Sequence, residues 1–269
     1  CYTGGTEHIT RHVLYAFFWQ NFLYEIGAVP TRDPFVRKMG SGLILDSEGK
    51  KMSKSSTNGV SPLEVIDKYG TDVARMHVHF LGGYEDNTPW TYDGINGITS
   101  FIDKVWALQD MIKGEGVSKE HIYELSVLNK KLCDNYENLK LNTAISALMI
   151  FVKKIKEDGF ITMEELRQFL IFLNPLAPHI TSEMYERVFN SEILDQSWPK
   201  YDEKDLVKST VEIAVQVNSK IITKLDIVTS LSQQEILDFV KQDAKIRDVI
   251  SNKTIVKEIY VPNRIVNII

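Results

Sequence analysis

Between a short apolar stretch, Leu43-Ile44-Leu45, and a helix start at Ser61-Pro62 lies the pentapeptide Lys51-Met52-Ser53-Lys54-Ser55. Two lysines in a Gly/Ser-rich loop with no apolar run of its own suit an anion better than a core. Backbone N–H groups and ammonium ions can surround polyphosphate there without burying a charge. The flanks fix the setting as strand, loop, helix. Ser61 is placed as an N-cap, with Pro62 at the first helical position and Glu64 at the capping-box position. Gly70 then breaks that helix and Thr71 opens another.

Residues 1–60 read as part of an α/β unit. Tyr2-Thr3-Gly4-Gly5 is expected to form a glycine turn leading into an aromatic-rich helix over about 7–26, closed by Gly27, with Pro30 and Pro34 in the following loop. Beyond Ser61 the period is helical. Amphipathic patterns run over Tyr92–Ile112, Lys119–Asn138, Asn142–Lys156, Met163–Leu173 and Pro178–Phe189. Ala144, Leu148, Phe151 and Ile155 share one stripe of the third, and the short connections imply an antiparallel bundle. After a charged linker, Tyr201–Lys208, strands are expected at Glu212–Val217 and Ile221–Val228 around an Asn218-Ser219-Lys220 turn. A helix over Leu231–Gln242 and β-rich stretches at Ile255–Val261 and Arg264–Ile268 complete a small α+β domain. The fold class is therefore mainly α with α/β and α+β parts, divided as 1–60, connecting helices 61–90, a bundle 91–200 and a C-terminal domain 209–269.

At 269 residues and a net charge of −5, with 25% charged residues, the chain has no global basic signature for nucleic acid, so any such contact must be local. Cys1 and Cys133 form neither a CxxC pair nor a zinc spacing, which points to a reduced, cytoplasmic setting. No stretch reaches the roughly 20 apolar residues of a membrane span. A start at Cys1 inside an ordered pattern suggests a piece of a longer protein.

A second constellation, Gly4-Gly5-Thr6-Glu7-His8-Ile9-Thr10-Arg11-His12, joins glycines that admit a ligand to a helix N-terminus that favours an anion. Glu7 can accept from ribose hydroxyls. His8 and His12, four apart, share a helix face. They lack an HExxH context or a third ligand, so no metal is assigned to them, and partly buried structural histidines are the plainer reading.

The pentapeptide is the signature loop of class I aminoacyl-tRNA synthetases, and GGTEHITRHVLYAFFWQNFLYEIGAV resembles a segment of the leucyl enzymes. The resemblance continues through YGTDVAR, Trp90, Phe101…Val105-Trp106, the bundle string NPLAPHI and the tail VEIAVQVNSK…YVPNRIVNII. It implies a remnant of the class I nucleotide-binding fold and an anticodon-binding-like bundle, with a C-terminal domain that contacts tRNA. It further implies activation of L-leucine by ATP with Mg²⁺ and transfer to tRNA(Leu). Catalytic roles fall to Lys51 and Lys54, and ATP contacts to Gly4, Gly5, Glu7, Met52, Ser53, Lys54 and Ser55. The leucine pocket would be shaped by Tyr2, His8 and His12, while His179 reads as a packing and capping residue.

The partner motif His-x-Gly-His and an editing domain occur nowhere in these residues, so the N-terminal half of the same enzyme is an expected partner and the isolated chain is expected to be inactive. Ser56-Thr57 and the NSKIITK hairpin depart from the family pattern and remove positive charge. Two other readings remain: an isoleucyl or valyl enzyme, and a non-catalytic paralogue or tRNA-binding module.

Overall fold

The structure is a computed structural model describing residues 1–5, 8–53, 58–207, 210–229, 231–251, 255–262 and 264–269. Lys208 and Ser209, where the linker was read to end and the last domain to begin, lie outside the described residues. The chain divides into two compact units, Cys1–Tyr201 and Asp202–Ile269. Its class is mixed: helices dominate, an α/β segment opens the chain and a small sheet closes it.

The first unit begins with a β-α-β turn of chain: β1 (Tyr2–Gly5), α1 (Leu14–Glu25) and β2 (Lys38–Ser41). β1 pairs in parallel with β2, Gly4 opposite Gly40, as a helical crossover permits. The expected glycine turn is thus a strand. Its glycines suggested a turn, but a parallel partner 36 residues away supplies the ladder. Gly4 stands at φ +153°, which side-chain-bearing residues rarely adopt. The helix was also expected to be continuous from about residue 7; instead a π-turn over Ile9–Val13 precedes α1. No residue of α1 is buried. A helix that is apolar all round is built to be covered, and two strands cannot do it.

A second parallel pair joins β3 (Ile44–Leu45) to β4 (Thr88–Pro89). Gly42, just before β3, is obligatory: a Cβ there would sit 1.9 Å from the Asp86 carbonyl oxygen. Between these strands lie α2 (Pro62–Tyr69) and α3 (Thr71–Phe80), broken at Gly70 with φ +87°. Pro62 does open α2, but the Ser61 side chain makes no capping bond, so the expected capping box is not formed.

The bundle comprises α4 (Ile95–Trp106), α5 (Ile122–Glu137), α6 (Leu141–Asp158), α7 (Met163–Leu173) and α8 (Pro178–Phe189). The predicted stripe Ala144, Leu148, Phe151 and Ile155 is buried, and Phe151 stacks on Phe169 of α7 at 5.7 Å. Thr162 and Glu165 form a reciprocal capping box at the start of α7. Glu165 also accepts from the Ser118 amide at 2.8 Å and faces His121 Nδ1 at 2.8 Å, while His121 Nε2 faces Asp158 at 2.9 Å. Lys154 pairs with Asp158 from the same helix. His121 and Glu165 are wholly buried. With a carboxylate oxygen at each ring nitrogen, both nitrogens must donate, which defines an imidazolium. Burial opposes that charge, but the bonds and charges of Glu165 and Asp158 outweigh it and raise the pKa of His121. Burial likewise opposes ionised Glu165, yet its donors bring it down to about 2.

α3 is tied to α8 and the turn before it by the two charged residues of the YGTDVAR string, Asp72 and Arg75. Asp72 accepts from the backbone amides of His179 (3.3 Å) and Ile180 (2.8 Å), and from His179 Nδ1 at 2.7 Å. Arg75 donates to the carbonyls of Pro175 and Leu176. The α8 N-terminus, where Ala177 offers no side-chain cap, is therefore capped from α3.

The second unit is a four-stranded sheet of β5 (Thr210–Val217), β6 (Lys220–Val228), β7 (Glu258–Val261) and β8 (Ile265–Ile268), in the order β6-β5-β8-β7. The central β5–β8 pair is parallel and the outer pairs are antiparallel. Asn218 and Ser219 turn the hairpin, both at positive φ (49° and 64°), the conformation of a two-residue type I′ turn. Ile213, Val215, Val217, Ile227, Val266 and Ile268 form a core with Ile236, Leu237 and Val240 of α9 (Gln233–Gln242) and Ile246 of α10 (Ala244–Ile250). Of these elements α10, capped by Asp243, was not anticipated from the sequence.

Candidate active site

The first group of candidates stands on β1. Parallel α/β sheets bind ligands beyond the carboxyl ends of their strands, and Gly4 and Gly5 occupy that end of β1. The Tyr2 hydroxyl meets His12 Nδ1 at 2.8 Å and the two rings stack, while Phe35 also stacks on Tyr2 at 4.7 Å. Tyr2 and His12 thus orient each other. His8 is exposed at the head of the π-turn with no capping bond, and His12 is exposed as well. This corrects the reading of both as partly buried: the apolar cover that reading needed is not supplied by β1, β2 and α1. Glu7 lies outside the described residues.

The second group is the lysine loop. The chain leaves β3 at Asp46, turns through Gly49 and returns so that Lys51 bridges antiparallel to Leu45. Lys51 and Ser53 are exposed, and Met52 lines an apolar cleft of about 410 Å³ with Ile44, Val65, Val78 and Trp90. Lys54 and Ser55, with the departures Ser56 and Thr57, lie outside the described residues. Sequence reasoning passed over two residues here. Asp46 is buried and accepts from the amides of Glu48 (3.0 Å) and Lys50 (2.8 Å), and from Asn58 Nδ2 at 2.7 Å. The only signal for it was a turn-forming Asp before Ser-Glu-Gly.

Among the described residues no hydrogen bond links the first group to the second. Nor do three or more His, Cys, Asp or Glu side chains among them converge to hold a metal ion. Among the described residues no helix is long and apolar enough to cross a membrane. An exposed ammonium on a pinned backbone can offset charge on a polyphosphate.

Comparison with known proteins agrees with this chemistry. Residues 10–89 match the family described as tRNA synthetases class I (I, L, M and V), and residues 118–237 match the anticodon-binding domain of tRNA ligase. A leucine–tRNA ligase of Alkaliphilus oremlandii (strain OhILAs) is 35% identical over 270 residues, which is 100% of this chain and 34% of that protein. The LeuRS of Agrobacterium radiobacter K84, solved as a ternary complex with tRNA and LeuAMS, is similar over 99% of this chain and 38% of its own. Its TM-score is 0.72 at 27% identity. The chain thus spans about a third of the relatives it matches, and over those segments it is homologous to the catalytic and anticodon-binding domains of leucine–tRNA ligases, which are class I aminoacyl-tRNA synthetases.

Proposed function

We propose that this chain is the C-terminal portion of a leucine–tRNA ligase, carrying its signature loop (1–60), connecting helices (61–90), tRNA-binding bundle (91–200) and a tRNA-contacting domain (209–269). The whole protein would activate L-leucine with Mg²⁺–ATP and transfer it to tRNA(Leu) in the cytoplasm, releasing AMP and pyrophosphate. The observation that carries this reading is the pinned Lys51 between β3 and α2, in a chain similar to a LeuRS along 99% of its length.

Activation requires a carboxylate to attack the α-phosphorus while pyrophosphate departs. Lys51 and Lys54 would offset the charge building on that leaving group, with Met52, Ser53 and Ser55 completing the loop around the phosphates. Gly4 and Gly5 would admit the adenosine ribose and Glu7 would accept from its hydroxyls. Tyr2, His8 and His12 would shape the leucine pocket, the Tyr2–His12 bond holding both rings in place. The exposed apolar surface of α1 suits burial against the N-terminal half of the same enzyme. ATP–pyrophosphate exchange by the full-length protein, with leucine, isoleucine, valine and methionine offered separately, tests the reading. Exchange driven by leucine alone is expected. A folded protein that exchanges with none of them, yet binds tRNA(Leu), is a non-catalytic paralogue.

A further inference from the structure

We propose that Asp46 and Asn58 form a latch that closes the base of the lysine loop and sets the position of the Lys51 backbone, so that both act as positioning residues for the phosphate-bearing substrate. This rests on the assignment of the loop to ATP. Asp46 and Met39 are the two residues buried among the described part of 1–60, and a buried carboxylate must have its lone pairs filled. Among the described residues the Asp46 carboxylate accepts three bonds, and two of them, from the amides of Glu48 and Lys50, shape the turn locally and converge on Oδ1. The third has no part in that turn. It reaches Oδ2 from Asn58, twelve residues on, at the far end of the loop.

The Asn58 amide also donates to the Lys51 carbonyl at 3.3 Å, and Lys51 bridges back to Leu45. One side chain thereby ties together the entry of the loop, its exit and the backbone of its first lysine. Asn58 first, and then the Lys50 amide, hold the Asp46 carboxyl below its ordinary range, which keeps it the anion that the latch needs. Fixing both ends of a loop removes conformations in which its ammonium groups miss the phosphates, and small misplacements at a reacting centre are costly.

Asp46→Asn separates the two functions of the aspartate. Its amide oxygen can keep both turn bonds, while its NH₂ meets the NH₂ of Asn58, which can turn its oxygen round only by giving up the Lys51 carbonyl. In the full-length protein, Asp46→Asn and Asn58→Ala are each expected to lower kcat/KM for ATP in leucine-dependent exchange by about tenfold. The KM for leucine and the melting temperature should stay unchanged. Because both variants open one latch, the double variant should be no worse than the poorer single one. Losses that multiply, single variants within about twofold of wild type, or an equal rise in the leucine KM would each overturn the proposal. Amide exchange over residues 47–58 tests the latch without activity. Faster exchange there, and not in the bundle, is expected of both variants, and unchanged exchange overturns it. A wild-type protein that shows no leucine-dependent exchange removes the functional reading instead, and leaves the amide measurement to decide the latch.

Discussion

In α1 no residue is buried, and Phe18 and Trp19 stand 68% and 56% exposed; in α7 seven of eleven residues are buried. Both helices are rich in Phe and Leu, so composition alone does not separate them. What separates them is cover. α7 packs against α5 and α8 in the bundle, whereas the strands on either side of α1 form a sheet of two. Apolar burial at about 25 cal/mol per Å² stabilises the bundle and contributes little to residues 1–60. The candidate chemistry nevertheless falls in that thinly packed part, held by individual hydrogen bonds rather than by a core.

The sharpest way to break this contrast is to hollow out each side. Phe169→Ala removes a wholly buried ring and is expected to cost residues 1–269 about 3–5 kcal/mol in urea denaturation. Trp19→Ala in the same chain should change stability by less than about 0.5 kcal/mol. A comparable loss from both would mean that α1 is covered after all. Next in size, Lys51→Ala in the full-length protein should slow leucine-dependent exchange by about 100-fold or more, with Lys54→Ala doing the same. Because Lys51 is exposed, the melting temperature should not follow; an unchanged exchange rate would remove that lysine from the mechanism.

A smaller and pH-dependent effect sharpens the bundle side. His121 has a raised pKa, so its contribution to stability is complete below 6.5 and is lost as pH rises through that higher value. Glu165 is held at about 2, so its contribution is complete above 4.5 and is lost as pH falls towards about 2. The stability difference between wild type and His121→Gln should therefore be greatest between 4.5 and 6.5 and shrink on either side. A difference independent of pH would show that His121 is not held as an imidazolium.

Local signals carried much of the architecture. Met163–Leu173 and Pro178–Phe189 were legible to the residue, because a capping Thr162 and a helix-opening Pro178 mark their starts. Tyr2–Gly5 was misread because what makes it a strand is Lys38–Ser41, and no window of sequence contains both. Nonlocality hid the side-chain clusters in the same way. His121, Asp158 and Glu165 come from three separate helix ends, and Asp46 gains its meaning only from Asn58. Lys51 could be singled out as a candidate because its motif is contiguous. The orienting bond between Tyr2 and His12, ten residues apart, was not.

The cap on α8 bears on how this protein folds. A helix whose N-terminal amides are bound by its own preceding residue can close that end as soon as it forms. Here the acceptor is Asp72, 107 and 108 residues earlier in the chain, so the first turn of α8 is satisfied only once α3 has docked. The end of one helix and the seating of another then form in a single cooperative event, paid for by a long loop closure. Slow exchange of the His179 and Ile180 amide protons would accordingly report on the docking of α3 against α8, and not on the local strength of α8.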